Sequence, residues 1–215
     1  MAEEYLTDDE QLQAVKHMFT EYAPWIIGGL VLGIGGWYGI QYFRSHQNER
    51  ALQAAAQFEQ MTVAMQADDH KKSRAIADAL VKDFPSSPYA DQAQLAIARM
   101  HVEEGHPADA AAPLTQVMNN SKDAELKQIA RLRLARVLID QGKPDEAIKL
   151  LAAATPGSFA GRYHEVHGDA LYAKKDIAGA MVEYRAALSA GESGSDGALL
   201  ELKLADLASN EKAKP

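Results

Sequence analysis

The sequence predicts an all-α protein in which a single N-terminal transmembrane helix is followed by a domain of repeated helical hairpins. Three observations carry this prediction. Residues 23–43 contain no Asp, Glu, Lys, Arg or His. The rest of the chain is rich in alanine and leucine and has few β-branched runs, a composition that favours helices. Segments with one apolar face recur along it, separated by Gly, Pro, Asn and Asp turn signals.

The first segment to explain is residues 23–43, APWIIGGLVLGIGGWYGIQYF. A helix over these residues would be about 32 Å long, which matches a hydrocarbon core of roughly 30 Å, and aromatic residues lie near both of its ends. A buried core helix of this length normally carries a polar stripe, and a cleaved signal peptide begins with basic residues, whereas here acidic sequence comes first. We therefore expect an uncleaved anchor in contact with the lipid bilayer.

Glycine is frequent in this predicted span. Gly29 with Gly33, and Gly35 with Gly39, have the four-residue spacing that lets another helix approach closely. We expect these four glycines to form a transmembrane packing surface. The alternative, that glycines are simply common in membrane helices, stays open.

Residues 1–22 form an acidic arm with six acidic residues and one lysine. Thr7 to Glu10 reads as a capping box, and Pro24 predicts a break or kink at the membrane interface; the alternative, that the arm is a helical extension of the span, stays open. Between them, an apolar residue at every third or fourth position predicts a short amphipathic helix: Leu12, Val15, Phe19 and Tyr22. Basic residues are too evenly distributed on the two sides of the span to decide its orientation.

Composition argues against several functional classes. The net charge of −8 argues against binding of nucleic acid, and the absence of cysteine excludes disulfides and thiolate metal sites. His164 and His167 are three residues apart on one predicted helix, but no firm third ligand is visible, so we predict no metal site. No phosphate loop, nucleophile elbow or HExxH motif occurs. The sequence predicts a binding protein without catalytic residues or a cofactor.

From residue 47 onwards, a pattern of small and large residues repeats. Four positions recur 33 residues later and 37 residues earlier. The three sets are Ala98, His101, Ala110 and Leu114; Ala135, Leu138, Ala147 and Leu151; and Gly168, Leu171, Ala180 and Tyr184. A further step of 33 residues carries Ala110 back to Ala77, which predicts about four helical hairpins with their small residues at the helix contacts. A last amphipathic helix is expected to cap the stack through Ala198, Leu199, Leu202 and Ala205.

These positions resemble the tetratricopeptide repeat, whose 34-residue pattern has small residues at its eighth and twentieth places and a large residue at its twenty-fourth. The period of 33 and the missing aromatic residue at the fourth place, where Arg131 and His164 stand, are departures. The resemblance implies that the first helix of each hairpin lines a concave surface. The predicted binding face comprises Leu95, Arg99, Val102, Leu132, Arg136, Ile139, Arg162, Glu165, Asp169 and Tyr172.

A face of this kind, apolar with a few charges, suits an exposed peptide segment or a partner's helix. The alternative, that its Leu and Ile residues are plain core and its arginines are solvated, stays open. The predicted organisation is an acidic cytoplasmic arm at 1–22, a transmembrane helix at 23–43, a tetratricopeptide-like periplasmic domain at 44–209 and a polar tail at 210–215.

Three features together resemble one family. They are residues 13–19 (QAVKHMF), residues 37–47 at the end of the span, and residues 132–137 (LRLARV) inside the hairpins. They are similar to the YfgM-like ancillary subunits of the bacterial Sec translocon, and residues 84–90 (FPSSPYA) resemble the inter-hairpin linker of other cell-envelope repeat proteins. The resemblance implies an inner-membrane protein with a cytoplasmic N-terminus and a periplasmic C-terminal domain. Its implied partners are the SecYEG translocon, a PpiD-like membrane-anchored periplasmic chaperone, and unfolded or nascent polypeptide.

The expected function is therefore a non-enzymatic scaffold that helps hand translocated proteins to chaperones. The alternative is a membrane-tethered regulatory protein whose acidic arm binds a cytosolic regulator while the outer domain senses the state of the envelope. Deleting residues 2–21 distinguishes the two, because only the regulator would lose its output while channel binding stays intact.

Overall fold

The computed structural model describes the backbone of residues 8–191 and 195–212, and the side chains of residues 16, 25, 28–44, 46, 48–191 and 197–209. The described backbone forms nine α-helices and two short 3-10 helices, and no strand occurs among these residues. The helices are α1 (Asp8–Gln66), α2 (His70–Asp83), α3 (Pro88–Glu103), α4 (Ala111–Asn120), α5 (Ala124–Asp140), α6 (Pro144–Ala152), α7 (Ala160–Ala173), α8 (Ile177–Ser189) and α9 (Ser195–Lys212); the 3-10 helices are Pro107–Ala110 and Gly157–Phe159. The predicted all-α class is confirmed.

Helix α1 is continuous over 59 residues. It begins inside the predicted capping box and passes through Pro24 without interruption, so the predicted break there is wrong. A proline removes one backbone hydrogen bond, and the other turns of so long a helix keep theirs. The apolar face predicted for the arm falls on side chains outside the described set.

The chain divides into two compact units, one ending at Leu52 and the other beginning at Gln53. Among the described residues, no helix combines the length and apolar character that crossing a membrane requires. The side chains of several residues in the segment 23–43 are not described. The membrane-spanning helix there stays a prediction, as do the domain boundaries.

The four glycines of the predicted packing surface are open in this structure. A Cβ atom built at any of them would meet no described atom within 4 Å; they are Gly29, Gly33, Gly35 and Gly39. The neighbouring large side chains are exposed as well, with Leu32 at 78 % and Trp37 at 62 %.

The second unit is a stack of helical hairpins whose turns share one geometry. In each turn one residue adopts a positive φ, between 54° and 79°, and the next residue donates its N–H to a carbonyl five residues back at 2.8–3.0 Å. This arrangement is a Schellman-type helix end. The left-handed residues are Asp68, Gly105, Gly142 and Lys175. They establish four hairpins: the end of α1 with α2, α3 with α4, α5 with α6, and α7 with α8.

The spacing of these turns corrects the predicted register of the first hairpin. The turns follow one another after 37, 37 and 33 residues, so Ala110 corresponds to Ser73 and not to Ala77. Ser73 is fully buried, and its hydroxyl donates to the Asp69 carbonyl at 2.9 Å. The sequence pattern did not indicate Ser73, because serine is polar and the small residues at the other helix contacts are Ala or Gly. Its hydroxyl can be buried because it makes a hydrogen bond within its own helix.

Apolar clusters fill the space between successive hairpins. One cluster joins α1, α2 and α3, a second joins α3, α4 and α5, and a third joins α5, α6 and α7. A fourth joins α8 to α9 through Leu200 and Leu207, which are buried against Tyr184. Helix α9 therefore caps the stack as predicted, but through a different face, since Leu199 and Leu202 are exposed. The helix also extends to Lys212, beyond the predicted start of the tail.

Candidate binding groove

The candidate site is a cavity of ≈ 550 Å³ in the second unit. Helices α5, α7 and α9 form its walls, and one residue of α8 contributes to it. The lining residues are Arg136, Ile139, Asp140, Asp169, Tyr172, Ala173, Tyr184, Lys203, Asp206 and Leu207. The groove combines apolar surface with charges of both signs.

A network of two cations and two carboxylates joins the three helices that form the walls of the groove. Arg136 on α5 donates from Nη2 to Glu165 Oε2 at 3.2 Å. Lys203 on α9 donates from Nζ to Glu165 Oε1 at 3.4 Å and to Asp169 Oδ1 at 2.7 Å. The Glu165 side chain is only 12 % exposed, and a carboxylate so far out of water requires cationic partners. The network therefore ties the capping helix α9 to α7, and α7 to α5.

Tyr184 completes the network from α8. Its hydroxyl donates to Asp169 Oδ1 at 2.8 Å, and the Lys203 ammonium lies 5.2 Å from the centre of its ring. Burial raises the pKa of Tyr184 strongly, and the hydrogen bond to Asp169 raises it further. The phenol accordingly stays protonated and acts as a donor, while its ring receives the ammonium.

The close approach of α7 to α8 places Tyr184 at this position. A Cβ atom on Gly168 would lie 2.6 Å from Tyr184 Cε1 and 2.7 Å from Cδ1. A hydrogen at position 168 is thus what allows the tyrosine ring to lie across α7. This is the contact between a small and a large residue that the repeat pattern predicts for this pair.

The predicted concave residues occupy three kinds of environment. Leu95, Leu132 and Glu165 are buried, and the two leucines belong to apolar clusters of the core. Arg136, Ile139 and Asp169 are half-buried and line the groove. Arg162 is half-buried on α7 but does not line the groove. The exposed residues are Arg99, Val102 and Tyr172. Of these ten, the structure brings Arg136, Ile139, Asp169 and Tyr172 together around one cavity, with Glu165 joined to it by ion pairs.

Three arginines of α3 and α5 influence one another. Arg99 pairs with Glu103 at 2.7 Å, and Arg133 donates to the Leu95 carbonyl at 3.4 Å. Desolvation lowers the pKa of Arg133, and the charges of Arg99 and Arg136 lower it further. Guanidinium groups stay charged in proteins, and two of these three are paired with a carboxylate, Arg99 with Glu103 and Arg136 with Glu165.

Six of the ten residues that line the groove are absent from the predicted face. They are Asp140, Ala173, Tyr184, Lys203, Asp206 and Leu207. Three of them are on α9 at spacings of three and one residues, which places them on one side of that helix. The spacing of these residues along α9 could have identified them from the sequence. The prediction placed Leu199 and Leu202 on the packing face, and so assigned the groove residues of α9 to the outer face.

The two histidines considered as metal ligands share one carboxylate. His164 Nδ1 lies 2.7 Å from Glu183 Oε2, and His167 Nδ1 lies 3.2 Å from Oε1 of the same side chain. In the described part of the chain, no group of three or more His, Asp or Glu residues is arranged to hold a metal ion. This cluster links α7 to α8.

The sequence profile of the tetratricopeptide repeat-like domain family matches residues 16–209, almost the whole chain. The chain belongs to this family. Several relatives, of which three are described here, carry the name ancillary SecYEG translocon subunit. The protein of Escherichia coli (strain K12) is 27 % identical over 94 % of this chain and 98 % of its own length. The protein of Haemophilus influenzae is 30 % identical over 86 % of this chain and 91 % of its own length. That of Neisseria gonorrhoeae is 27 % identical over 94 % of this chain and 98 % of its own length.

Within the tetratricopeptide repeat-like family, the chain is thus a YfgM-like member. Among solved structures, the TPR domain of P58(IPK) aligns with 75 % of this chain and 48 % of its own, at 16 % identity and a TM-score of 0.47. The hairpin fold described above does not depend on that alignment.

Proposed function

We propose that this protein is a non-enzymatic ancillary subunit of a Sec translocon, a scaffold that acts through protein contacts. The observation that carries the proposal is similarity over nearly the full length. The Escherichia coli relative named for this role aligns over 98 % of its own sequence, so the first unit and the hairpin stack are both matched. A match confined to the repeats would support a peptide-binding module but no particular partner.

The proposed anchor is the helix at residues 23–43, with the N-terminus in the cytoplasm and the hairpin domain in the periplasm. The absence of native cysteine makes this topology directly measurable. A single cysteine placed at Asp78, an exposed position of α2, is expected to react with a membrane-impermeant maleimide in cells whose outer membrane is permeable. A cysteine at Glu3 is expected to react only after lysis. The reverse pattern would contradict the orientation.

The proposed task of the hairpin domain is to hold polypeptide as it leaves the channel and to pass it to a membrane-anchored, PpiD-like chaperone. The groove supports this role, because it combines apolar surface with carboxylates and a half-exposed aromatic ring in one accessible cavity. Extended peptides bind to surfaces of this kind, where their side chains enter pockets.

Affinity isolation from native membranes tests the translocon association. The full-length chain is expected to recover SecY, SecE and SecG. A variant with residues 23–43 replaced by an unrelated leucine-alanine membrane helix is expected to lose them while it stays in the membrane fraction, because the glycine surface is gone. Failure of the full-length chain to recover the channel would contradict the proposal.

A further inference from the structure

We propose that the groove binds a basic side chain, lysine or arginine, of an extended polypeptide, together with an apolar residue next to it. This inference rests on the proposed function, because it specifies which segments of a translocated polypeptide the scaffold would hold. It is carried by the charges and the ring that line the cavity.

The groove already contains one ammonium group, which shows the contacts it offers to a cation. Lys203 Nζ lies 2.7 Å from an Asp169 oxygen and 3.4 Å from a Glu165 oxygen. It also lies 5.2 Å from the centre of the Tyr184 ring. Two carboxylates and an aromatic face therefore hold this ammonium, a combination that offsets the cost of taking the charge out of water.

The same kinds of group occur again in the cavity without a cation. Asp140 and Asp206 both line it, both are exposed, and neither carboxylate takes part in an ion pair or side-chain hydrogen bond with any described residue. Tyr172 lines the same cavity, and its side chain is 49 % exposed. Two carboxylates and one aromatic ring are thus available to an incoming cation.

The charge balance selects a cationic ligand. Arg136 and Lys203 neutralise Glu165 and Asp169, since these four residues are paired with one another. Among the described residues, the charge of Asp140 and Asp206, which is −2, has no paired cation. An acidic segment would meet these carboxylates without an available counter-charge, whereas a basic one would be attracted to them.

The apolar lining explains the second half of the proposed ligand. Ile139, Ala173 and Leu207 line the cavity beside the carboxylates. The methylene stem of a lysine or arginine packs on apolar surface while its charged end reaches the carboxylates. A neighbouring apolar residue of the same peptide would bury its side chain against the remaining surface. A wholly polar basic peptide would leave that surface in water.

The test compares three ten-residue peptides that differ at one position. Each carries a fluorophore and a central residue flanked by leucines, and the central residue is lysine, glutamine or glutamate. Fluorescence anisotropy measures their binding to the full-length protein in detergent at low salt. We expect the lysine peptide to bind at least fivefold more tightly than the glutamine peptide, the glutamate peptide to bind most weakly, and the preference to fall as salt is raised.

Charge-neutral variants locate the effect. Asp140→Asn with Asp206→Asn keeps the shape of both side chains, and we expect it to reduce the preference for lysine over glutamine below twofold. Asp78→Asn with Asp109→Asn removes the same charge from exposed positions outside the groove and is expected to keep the preference. Circular dichroism confirms that both variants fold.

The inference is overturned if the lysine and glutamine peptides bind equally, if none of the peptides binds, or if both double variants lower the preference alike. Affinity isolation of the channel with the Asp140→Asn/Asp206→Asn variant shows whether the peptide preference or the proposed function is wrong. Equal peptide binding by a protein that still recovers SecY overturns the basic-residue preference alone. A wild-type protein that recovers no channel overturns the proposed function itself.

Discussion

The contact between Gly168 and Tyr184 predicts whether Gly168→Ala raises or lowers the free energy of unfolding. Helix propensity would raise it, and a clash with the tyrosine ring would lower it. Gly168→Ala replaces a glycine in the interior of α7, and helix propensity alone would stabilise the protein by about 1 kcal/mol. The new Cβ atom, however, would lie 2.6 Å from Tyr184 Cε1, roughly 1 Å closer than carbon atoms normally approach.

Overpacking of this kind costs typically about 1–3 kcal/mol. The ring cannot move freely, because its hydroxyl is bonded to Asp169 and Lys203 lies over its face. The clash is therefore larger than the propensity gain. We expect Gly168→Ala to lower the free energy of unfolding by up to about 2 kcal/mol, the overpacking cost less the propensity gain, which corresponds to a fall in Tm of up to roughly 8 °C for a domain of this size.

Thermal unfolding of the full-length protein, followed by circular dichroism at 222 nm, measures this change. In a Tyr184→Leu background the added methyl group meets no ring, so Gly168→Ala should there be neutral or stabilising; the cycle isolates the contact. Ala205→Gly, on the exposed side of α9, measures the propensity effect alone. A Gly168→Ala protein more stable than wild type would refute the reasoning.

Three further predictions follow from the same elements. Glu165→Ala should lower the free energy of unfolding, measured by chemical denaturation, by about 2 kcal/mol, because it leaves the half-buried Arg136 without its partner. Glu103→Ala, which breaks an exposed i,i+4 pair, should lower it by less than about 0.5 kcal/mol. Equal losses in the two variants would contradict the difference in burial between these ion pairs. Because the pKa of Tyr184 is raised in the folded protein, the phenol loses its proton at a lower pH in the unfolded chain than in the folded one. The free energy of unfolding should therefore fall as pH rises above about 10. In the Tyr184→Phe variant, the free energy of unfolding should fall less steeply from about pH 9 to 11. Asp123 accepts hydrogen bonds from two backbone N–H groups at the start of α5, and Asp123→Ala should lower the free energy of unfolding by about 1 kcal/mol, a loss that Asp123→Asn largely avoids.

The sequence predicts the hairpin stack well because its signals are local. Gly105 and Gly142 end their helices in the left-handed conformation that glycine adopts most readily, and the small residue at 168 fits the large one at 184. The first hairpin lacks these signals. Its turn residue is Asp68 and its small buried residue is Ser73, so the 33-residue spacing led to the wrong register.

The groove is less predictable because it depends on pairing across helices. Arg136 and Asp169 could be named from their place in the repeat, since they are on the first helices of two hairpins. Lys203 was missed because the packing face of α9 was assigned to Leu199 and Leu202, whereas the buried leucines are Leu200 and Leu207; its carboxylate partners lie more than thirty residues earlier in the chain. The face chosen from its leucines was therefore the exposed one. Leu95 and Leu132 were predicted to line the binding face but belong to apolar clusters of the core. A leucine on the first helix of a hairpin can therefore be a core residue.

Site-specific photocrosslinking in native membranes tests the central claim most directly. A photoreactive residue at Trp37 probes the predicted span, one at Tyr172 probes the groove, and one at Val182, which is 61 % exposed on α8 and outside the groove, is the control. The account predicts adducts to a channel subunit from position 37, adducts to a translocating polypeptide or a chaperone from position 172, and neither from position 182. Adducts from position 37 only to a second copy of this chain, with none to the channel, would contradict it.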